Sequence, residues 1–92
     1  MVEIIWQRRI VDRLDAIIRE NMGSVRQIGA ALRELNEILL TDPAEAGESR
    51  DSPYRVVTVH PLTLYYRMTR DGRTVWVVGV EYYLKQRPSG ST

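Results

Sequence analysis

Hydrophobic residues in the first half of the chain recur mostly at helical spacing. The exception is residues 2–7, where apolar and polar side chains alternate, which predicts a short strand. Residues 10–18 then carry an apolar stripe at i, i+1, i+4, i+7 and i+8, and residues 25–39 carry a second stripe at steps of three and four. The two stripes predict two amphipathic helices joined by a short link.

The ends of these helices carry local signals. Gly23 is suited to a left-handed cap after the first helix. Ser24 opens the second helix with Gln27 three residues later, as a capping box requires. The Asp42-Pro43 pair ends the second helix. The helices are therefore expected to form a hairpin whose combined apolar face needs a partner.

The second half of the chain alternates in the manner of β-strands. After a polar loop over residues 42–53, strand-like segments span about 54–60, 62–69 and 74–83. The Asp-Gly pair between the last two is typical of a tight hairpin turn. Strict alternation places the apolar residues of the last strand on two faces, with Trp76, Val78, Val80 and Tyr82 on one and Val75 and Val77 on the other. Both tryptophans, Trp6 and Trp76, are expected in the core.

The element order β-α-α-β-β-β predicts an α+β fold of two layers. The N-terminal helical hairpin would pack on one face of a mainly antiparallel sheet. The second face has no predicted helix, so it would form a concave, partly apolar surface lined by arginines and tyrosines, and such a surface normally binds a partner. We expect a single domain over residues 1–85 and a flexible C-terminal tail over residues 86–92.

Composition excludes several classes of function. The chain has 92 residues, of which 43% are hydrophobic, enough for one small domain without disulfide or metal staples. It has no cysteine and one histidine, which argues against thiolate and multi-histidine metal sites and against a cysteine nucleophile. We therefore expect no metal and no cofactor. Without a long apolar run or a basic segment ahead of one, a cytoplasmic protein with no membrane partner is expected.

Charge is distributed unevenly along the chain. Residues 1–48 carry six basic and nine acidic side chains, whereas residues 49–92 carry seven basic and three acidic ones. The positive half is suited to a polyanion such as nucleic acid, although a short chain also shows such an imbalance by chance. An unrelated small nucleic-acid binder is therefore one interpretation of the sequence.

Several strings, taken in order, resemble the RelE/ParE superfamily of bacterial toxins, also known as plasmid stabilisation proteins. They are Leu-Leu-Thr-Asp-Pro after the second helix, the loop Ala-Gly-Glu-Ser-Arg-Asp, and the strand-like strings that begin at Tyr54, Pro61 and Asp71. The resemblance covers about residues 2–84. It implies a RelE/ParE-like fold and the toxin of a type II toxin–antitoxin system, neutralised by a small antitoxin that wraps around it.

The resemblance implies two alternative activities, cleavage of messenger RNA in the ribosomal A site and poisoning of DNA gyrase, and the fold cannot choose between them. Metal-free RNA cleavage needs a deprotonated 2′-hydroxyl, a stabilised phosphorane and a protonated leaving oxygen. RelE-like nucleases supply these with basic residues at positions that fall here on Val57, Thr63 and Tyr82-Tyr83. An mRNA endoribonuclease is therefore an open question, and a catalytically inactive binding module of the same fold is an alternative.

The remaining candidates lie near the ends of the predicted strands. Arg55 matches the first basic position of the family's second strand, and the single histidine, His60, is of the type suited to acid–base chemistry at neutral pH, although a turn histidine on the surface is an alternative. Tyr82 and Tyr83 point to opposite faces, so one is expected in the core and the other is free to stack on a base. The candidate catalytic residues are Arg55, His60 and Tyr83, and the candidate residues for nucleic-acid or partner binding are Arg50, Arg67, Lys85 and Arg87.

The partners implied by the resemblance are macromolecules. They are a cognate antitoxin, together with either the ribosome and its mRNA or DNA gyrase. A homodimer or a toxin–antitoxin hetero-oligomer is expected. The antitoxin would lay an apolar segment along the helical hairpin or the sheet.

Overall fold

A computed structural model of the chain describes residues 2–46, 48–49 and 54–83. The two apolar stripes form the two long helices that their spacing predicts. The helices are α1 (Arg8–Glu20), α2 (Val25–Thr41) and the single-turn α3 (Pro43–Ala46), with a turn of 3-10 helix at Met22–Ser24 between the first two. The helical hairpin is confirmed.

Five strands form one mixed sheet. They are β1 (Glu3–Trp6), β2 (Glu48–Ser49), β3 (Tyr54–Val59), β4 (Leu62–Met68) and β5 (Thr74–Tyr82). Their order across the sheet is β1-β5-β4-β3-β2, with β1 parallel to β5 and the other neighbours antiparallel. The α+β class and the mainly antiparallel sheet are confirmed. The loop predicted over residues 42–53 also contains α3 and β2, which the pattern missed.

Both long helices pack on the same face of the sheet. The buried side chains of the two layers form one cluster, with Ile10, Ile17, Ile28, Ala31, Leu35 and Leu39 from the helices and Val57, Leu62, Leu64, Tyr66, Val75, Val77 and Val80 from the strands. A fully buried aliphatic side chain of this kind stabilises the fold by about 1.5–3 kcal/mol. The predicted two-layer packing is therefore confirmed, and it leaves the second face of the sheet without a helix among the described residues.

One irregularity in β5 changes which side chains share a face. Tyr66 pairs with Val77 and its neighbour Tyr65 pairs with Gly79, so Val78 is an extra residue in β5 opposite this pair. An extra residue of this kind is a β-bulge, and it reverses the alternation of every residue beyond it.

The bulge overturns the predicted faces of the last strand. Val75 and Val77, which strict alternation places opposite Val80, lie with it in the core. Trp76, expected in the core, lies on the opposite face of the sheet and is half-buried. Trp6 packs against the core, as predicted.

The link between the helices is closed by a different residue from the one expected. Asn21 donates a hydrogen bond from its side-chain amide to the carbonyl of Ile17 at 2.8 Å and from its backbone N–H to Ile18 at 3.1 Å. Gly23 does not adopt a positive φ, and the Ser24 side chain makes no capping bond. The glycine cap was therefore wrong, because Asn21 already satisfies carbonyl groups at this end of α1. The capping box at the start of α2 was wrong as well.

The β4–β5 hairpin follows its sequence signal. Gly72 has φ of 73°, a conformation that favours glycine. Oδ1 of Asp71 accepts hydrogen bonds from the Thr69 hydroxyl at 2.6 Å and from the Arg73 backbone N–H at 3.0 Å. The bond from Thr69, followed by the one from Arg73, lowers the pKa of Asp71 below its ordinary value.

Acid is expected to loosen this turn. Because the pKa of Asp71 is lower in the folded than in the unfolded chain, its stabilising effect is complete above about pH 4 and is lost as the pH falls through the folded value. An NMR titration of the Arg73 amide should therefore show a midpoint below pH 4, and the Asp71→Asn variant should show no such transition. A midpoint at or above the ordinary aspartate value would contradict the assignment.

Candidate functional site

The sheet face opposite the two long helices, called the open face, is not covered by a helix among the described residues. Pairing and alternation assign to it Glu3, Ile5, Tyr54, Val56, Thr58, Thr63, Tyr65, Arg67, Thr74, Trp76, Gly79 and Glu81. Its mixture of aromatic, apolar and charged side chains matches the partly apolar surface that the sequence predicts, and the side chains fall into two groups at its two ends.

The first group is a row of large side chains across four strands. Ile5 pairs with Trp76, Trp76 with Arg67, and Arg67 with Tyr54, so their side chains lie next to one another. Cζ of Arg67 lies 6.0 Å from the centroid of the Trp76 ring, at the limit of a cation–π contact. The row therefore presents a guanidinium between aromatic rings.

The second group is centred on Glu81. Its Oε1 atom accepts hydrogen bonds from the hydroxyls of Tyr65 at 2.9 Å and of Tyr83 at 2.8 Å. The sequence prediction missed Glu81, although it is the only charged residue within residues 74–83 and so was open to notice. Its placement on the open face depends on the bulge, which alternation alone does not reveal.

Glu81 also sets the protonation of Tyr83. The hydrogen bond to the Glu81 carboxylate, and then its negative charge, raise the pKa of the Tyr83 hydroxyl above its ordinary value. At neutral pH the hydroxyl therefore keeps its proton. It is able to donate a hydrogen bond or a proton, and it is unsuited to removing one from a substrate.

Neutralising Glu81 is expected to lower the pKa of Tyr83. Gln in the Glu81→Gln variant keeps a side-chain oxygen for the tyrosine hydroxyls but removes the charge that opposes ionisation of the phenol. Ultraviolet titrations are recorded for the unaltered chain and for Glu81→Gln. Subtracting the titration of the same protein with Tyr83→Phe added isolates the ionisation of Tyr83. A Tyr83 pKa that is the same with Glu and with Gln at position 81 would show that the carboxylate does not control it.

The structure separates the three candidate catalytic residues. Arg55 pairs with Tyr66 and shares the face of Val57, so it lies half-buried on the helix side of the sheet. His60 is exposed in the β3–β4 turn, where the His60–Pro61 peptide bond is cis.

Only two of the three lie at the same end of the sheet. The backbone N–H of Tyr83 donates to the carbonyl of Pro61 at 2.9 Å, which brings Tyr83 to the turn that contains His60. Arg55 is five residues back along β3, a distance of about 17 Å. The three residues therefore do not form one catalytic cluster.

Of the four candidate binding residues, the structure places Arg67. It is the one arginine or lysine of the open face within the described residues. Arg50, Lys85 and Arg87 lie outside the described residues, as does the predicted tail over residues 86–92.

Two positions that are basic in RelE-like nucleases are unsuited to holding a phosphate here. Val57 is buried in the core between the sheet and the helices. Thr63 is on the open face but buried, and its hydroxyl lies 3.0 Å from that of Thr58. Within residues 2–46, 48–49 and 54–83, no group of three or more histidines or acidic residues is able to hold a metal ion. None of the helices in these ranges combines the length and the hydrophobicity needed to cross a membrane.

Comparison with known proteins gives structural relatives only. No protein-family model matches the chain. No curated protein matches it either.

Three solved structures share its architecture. A chain of the RelBE2 toxin–antitoxin complex of Mycobacterium tuberculosis superposes with a TM-score of 0.62 at 15% identity, over 88% of this chain and 96% of that one. The isolated RelE toxin of E. coli gives 0.59 at 15% identity, over 94% and 88%. A conserved hypothetical protein of Helicobacter pylori gives 0.53 at 16% identity, over 89% and 94%. The chain therefore has the RelE-like fold that the sequence strings predicted.

Proposed function

We propose that the chain is the toxin of a type II toxin–antitoxin pair, held inactive by a cognate antitoxin, and that the open face is the surface that meets its target. The observation that carries this proposal is the row of Trp76, Arg67 and Tyr54 left uncovered on a RelE-like fold. Large aromatic side chains beside an arginine are typical of binding surfaces. An exposed, partly apolar surface of this kind marks an interaction site.

The helical layer supports an antitoxin as a second partner. Four large apolar side chains are exposed there, on α1, on α2 and in the turn between them: Val11, Met22, Val25 and Leu40, at 41–61% of their full surface. An antitoxin that wraps around the chain would cover such side chains while it holds the toxin silent.

Of the two targets that the sequence leaves open, the described residues favour DNA gyrase over mRNA cleavage. Cleavage without a metal needs several cationic groups around one phosphate. The open face offers Arg67 alone among its described residues, and Glu81 would repel a phosphate at the other end. A protein surface tolerates this mixture of charges, whereas an RNA backbone does not.

Induced expression in a bacterial host, with and without the gene adjacent to this one, tests the proposal. Translation and plasmid supercoiling are followed together, and an unfolded Leu35→Asp variant controls for the burden of expression. Growth arrest with loss of supercoiling, relieved by the adjacent gene, is the expected result. Translation arrest with normal supercoiling would move the target to the ribosome.

A catalytically inactive binding module is the second candidate, favoured by Val57 and Thr63 at two of the nuclease positions. The same experiment separates it from a toxin. The inactive module predicts tight binding to the product of the adjacent gene but normal growth when the chain is expressed alone.

A further inference from the structure

The open face carries opposite charges at its two ends. Arg67 lies at the register of Trp76, and Glu81 lies at the register of Thr63. Arg67 and Thr63 are four residues apart on β4, so the two charged positions are separated by about 13 Å along the strands.

Neither charge is neutralised by an ion pair with another described residue. The contact of Arg67 is the face of the Trp76 ring, and the partners of Glu81 are two neutral hydroxyls. Two ion pairs between described residues, Arg8 with Asp12 and Arg19 with Asp15, lie on α1, away from the open face. Across β3, β4 and β5 the open face therefore offers one cation and one anion to a ligand, while its other acid, Glu3, lies on the edge strand β1 at the register of Thr74.

The space between the two charges is lined by less polar groups. Gly79 lies beside the Tyr65 ring, and a Cβ atom added to Gly79 would come within 3.2 Å of Tyr65 Cδ1. Val56 pairs with Tyr65 on the other side but is almost fully buried, so the Tyr65 ring supplies the apolar contact surface. Exposed tyrosines flank the surface, with Tyr54 at 44% and Tyr83 at 55% exposure. Tyrosine, tryptophan and arginine are the residue types enriched in protein–protein interfaces.

We propose that the open face binds an extended segment of the protein on which the toxin acts, and that this segment carries a carboxylate, an apolar side chain and a cation at alternate positions. In an extended chain, residues i, i+2 and i+4 share a face and span about 13 Å. The carboxylate meets Arg67, the apolar side chain meets the Tyr65 ring, and the cation meets Glu81.

This inference rests on the proposed function, which makes the open face the surface for the target, and it adds the chemistry of the segment that binds there. A single-stranded nucleic acid fits less well, because its backbone repeats a negative charge at every nucleotide and one phosphate would lie against Glu81. Only a ligand with both signs of charge complements both ends of the face.

Selection from a phage-displayed library of random nine-residue peptides tests the proposal with the purified full chain. The expected consensus is an acid and a base four positions apart with an apolar residue midway, in either direction. Arg67→Met, which keeps a flexible apolar stem over Trp76, should lose the selection for the acid only. Glu81→Gln, which keeps an acceptor for both tyrosines, should lose the selection for the base only.

Matched controls are Arg33→Met and Glu34→Gln, both exposed on α2 and away from the open face. These variants should select the same consensus as the unaltered chain. A synthetic consensus peptide should bind Arg67→Met and Glu81→Gln at least about tenfold more weakly, the loss expected for one charge-assisted hydrogen bond. Failure to enrich any sequence, or a consensus that survives both open-face substitutions, would overturn the proposal.

Two further measurements fix the nature and the source of the ligand. A ten-nucleotide oligouridine should compete poorly with the consensus peptide, and RNA that binds as tightly as the peptide would overturn the assignment to protein. The product of the adjacent gene should still co-purify with Arg67→Met and Glu81→Gln, and loss of that binding would reassign the segment to the antitoxin. If the unaltered chain arrests growth but selects no consensus, only this inference fails, whereas absence of arrest removes the proposed function itself.

Discussion

Replacing Leu35 with alanine is expected to lower the free energy of unfolding by about 3 kcal/mol. Leu35 has no exposed surface, and it lies in α2 at the centre of the cluster that joins the helices to the sheet. The substitution removes three buried carbon atoms and leaves a cavity that close packing on both layers cannot fill. For a domain of this size, a loss of this magnitude is a large part of the whole stability.

The same substitution at Leu40 provides the control. Leu40 is on the same helix and is 45% exposed, so its truncation should change the unfolding free energy by no more than about 0.5 kcal/mol. Urea denaturation of the two variants and the unaltered chain, followed by circular dichroism, measures both effects. Equal losses at the two positions would contradict the assignment of the buried face of α2.

The helices and the class of the fold were predictable because their signals are local. Each apolar stripe, at residues 10–18 and 25–39, marks one face of a helix. That face is the one that the helix buries, whatever element it packs against. The Asp71-Gly72 turn is equally local, since glycine at positive φ and the side-chain bonds of Asp71 are formed within five residues. The two-layer packing followed from the element order β-α-α-β-β-β, because a helical hairpin buries its apolar face against a sheet.

The errors fell where distant parts of the chain decide the structure. Nothing in the string around Val78 distinguishes a bulge from a regular strand, because the bulge is defined by pairing with Tyr65 and Tyr66 of β4. Similarly, β2 is two residues long and exists only through its pairing with β3. The helix caps are an exception, since their signals are local: Asn21 rather than Gly23 closes α1, and Ser24 makes no side-chain bond at the start of α2.

The sequence predicted the types of side chain at the candidate site but not all of the residues that form it. An open face with arginine and tyrosine was expected, and Arg67 and Tyr65 lie there. Arg55 was chosen by its position in the family pattern. It is two residues from Val57 on β3, so both side chains lie on the helix side of the sheet. Trp76 was placed on the wrong face because, in a strand that is apolar on both sides, alternation does not say which face the helices cover. Glu81 was not considered as a candidate, although it is the only charged residue of residues 74–83.

Reversing the charge of Arg67 is expected to abolish the growth arrest that the proposed function predicts, while leaving the fold intact. Arg67 is half-buried on the open face, and its cation–π contact with Trp76 contributes about 0.5–1 kcal/mol, so Arg67→Glu should cost little stability. The effect on binding is larger, because the variant adds an acid to Glu3 and Glu81 on the face and removes the guanidinium at the centre of the aromatic row. A loss of about 2 kcal/mol, or roughly thirtyfold in affinity for the target, is expected for an interface arginine of this kind.

Growth after induced expression measures this loss, with Arg33→Glu as the control. Arg33 is exposed on α2, so reversing its charge changes the net charge equally and leaves the open face untouched. Arg67→Lys separates the effect of the charge from that of the guanidinium shape, because lysine keeps the charge but lacks the planar group that lies over Trp76. We expect normal growth with Arg67→Glu, partial arrest with Arg67→Lys and full arrest with Arg33→Glu. If Arg67→Glu were folded and arrested growth as strongly as the unaltered chain, the working surface would have to lie elsewhere on the fold.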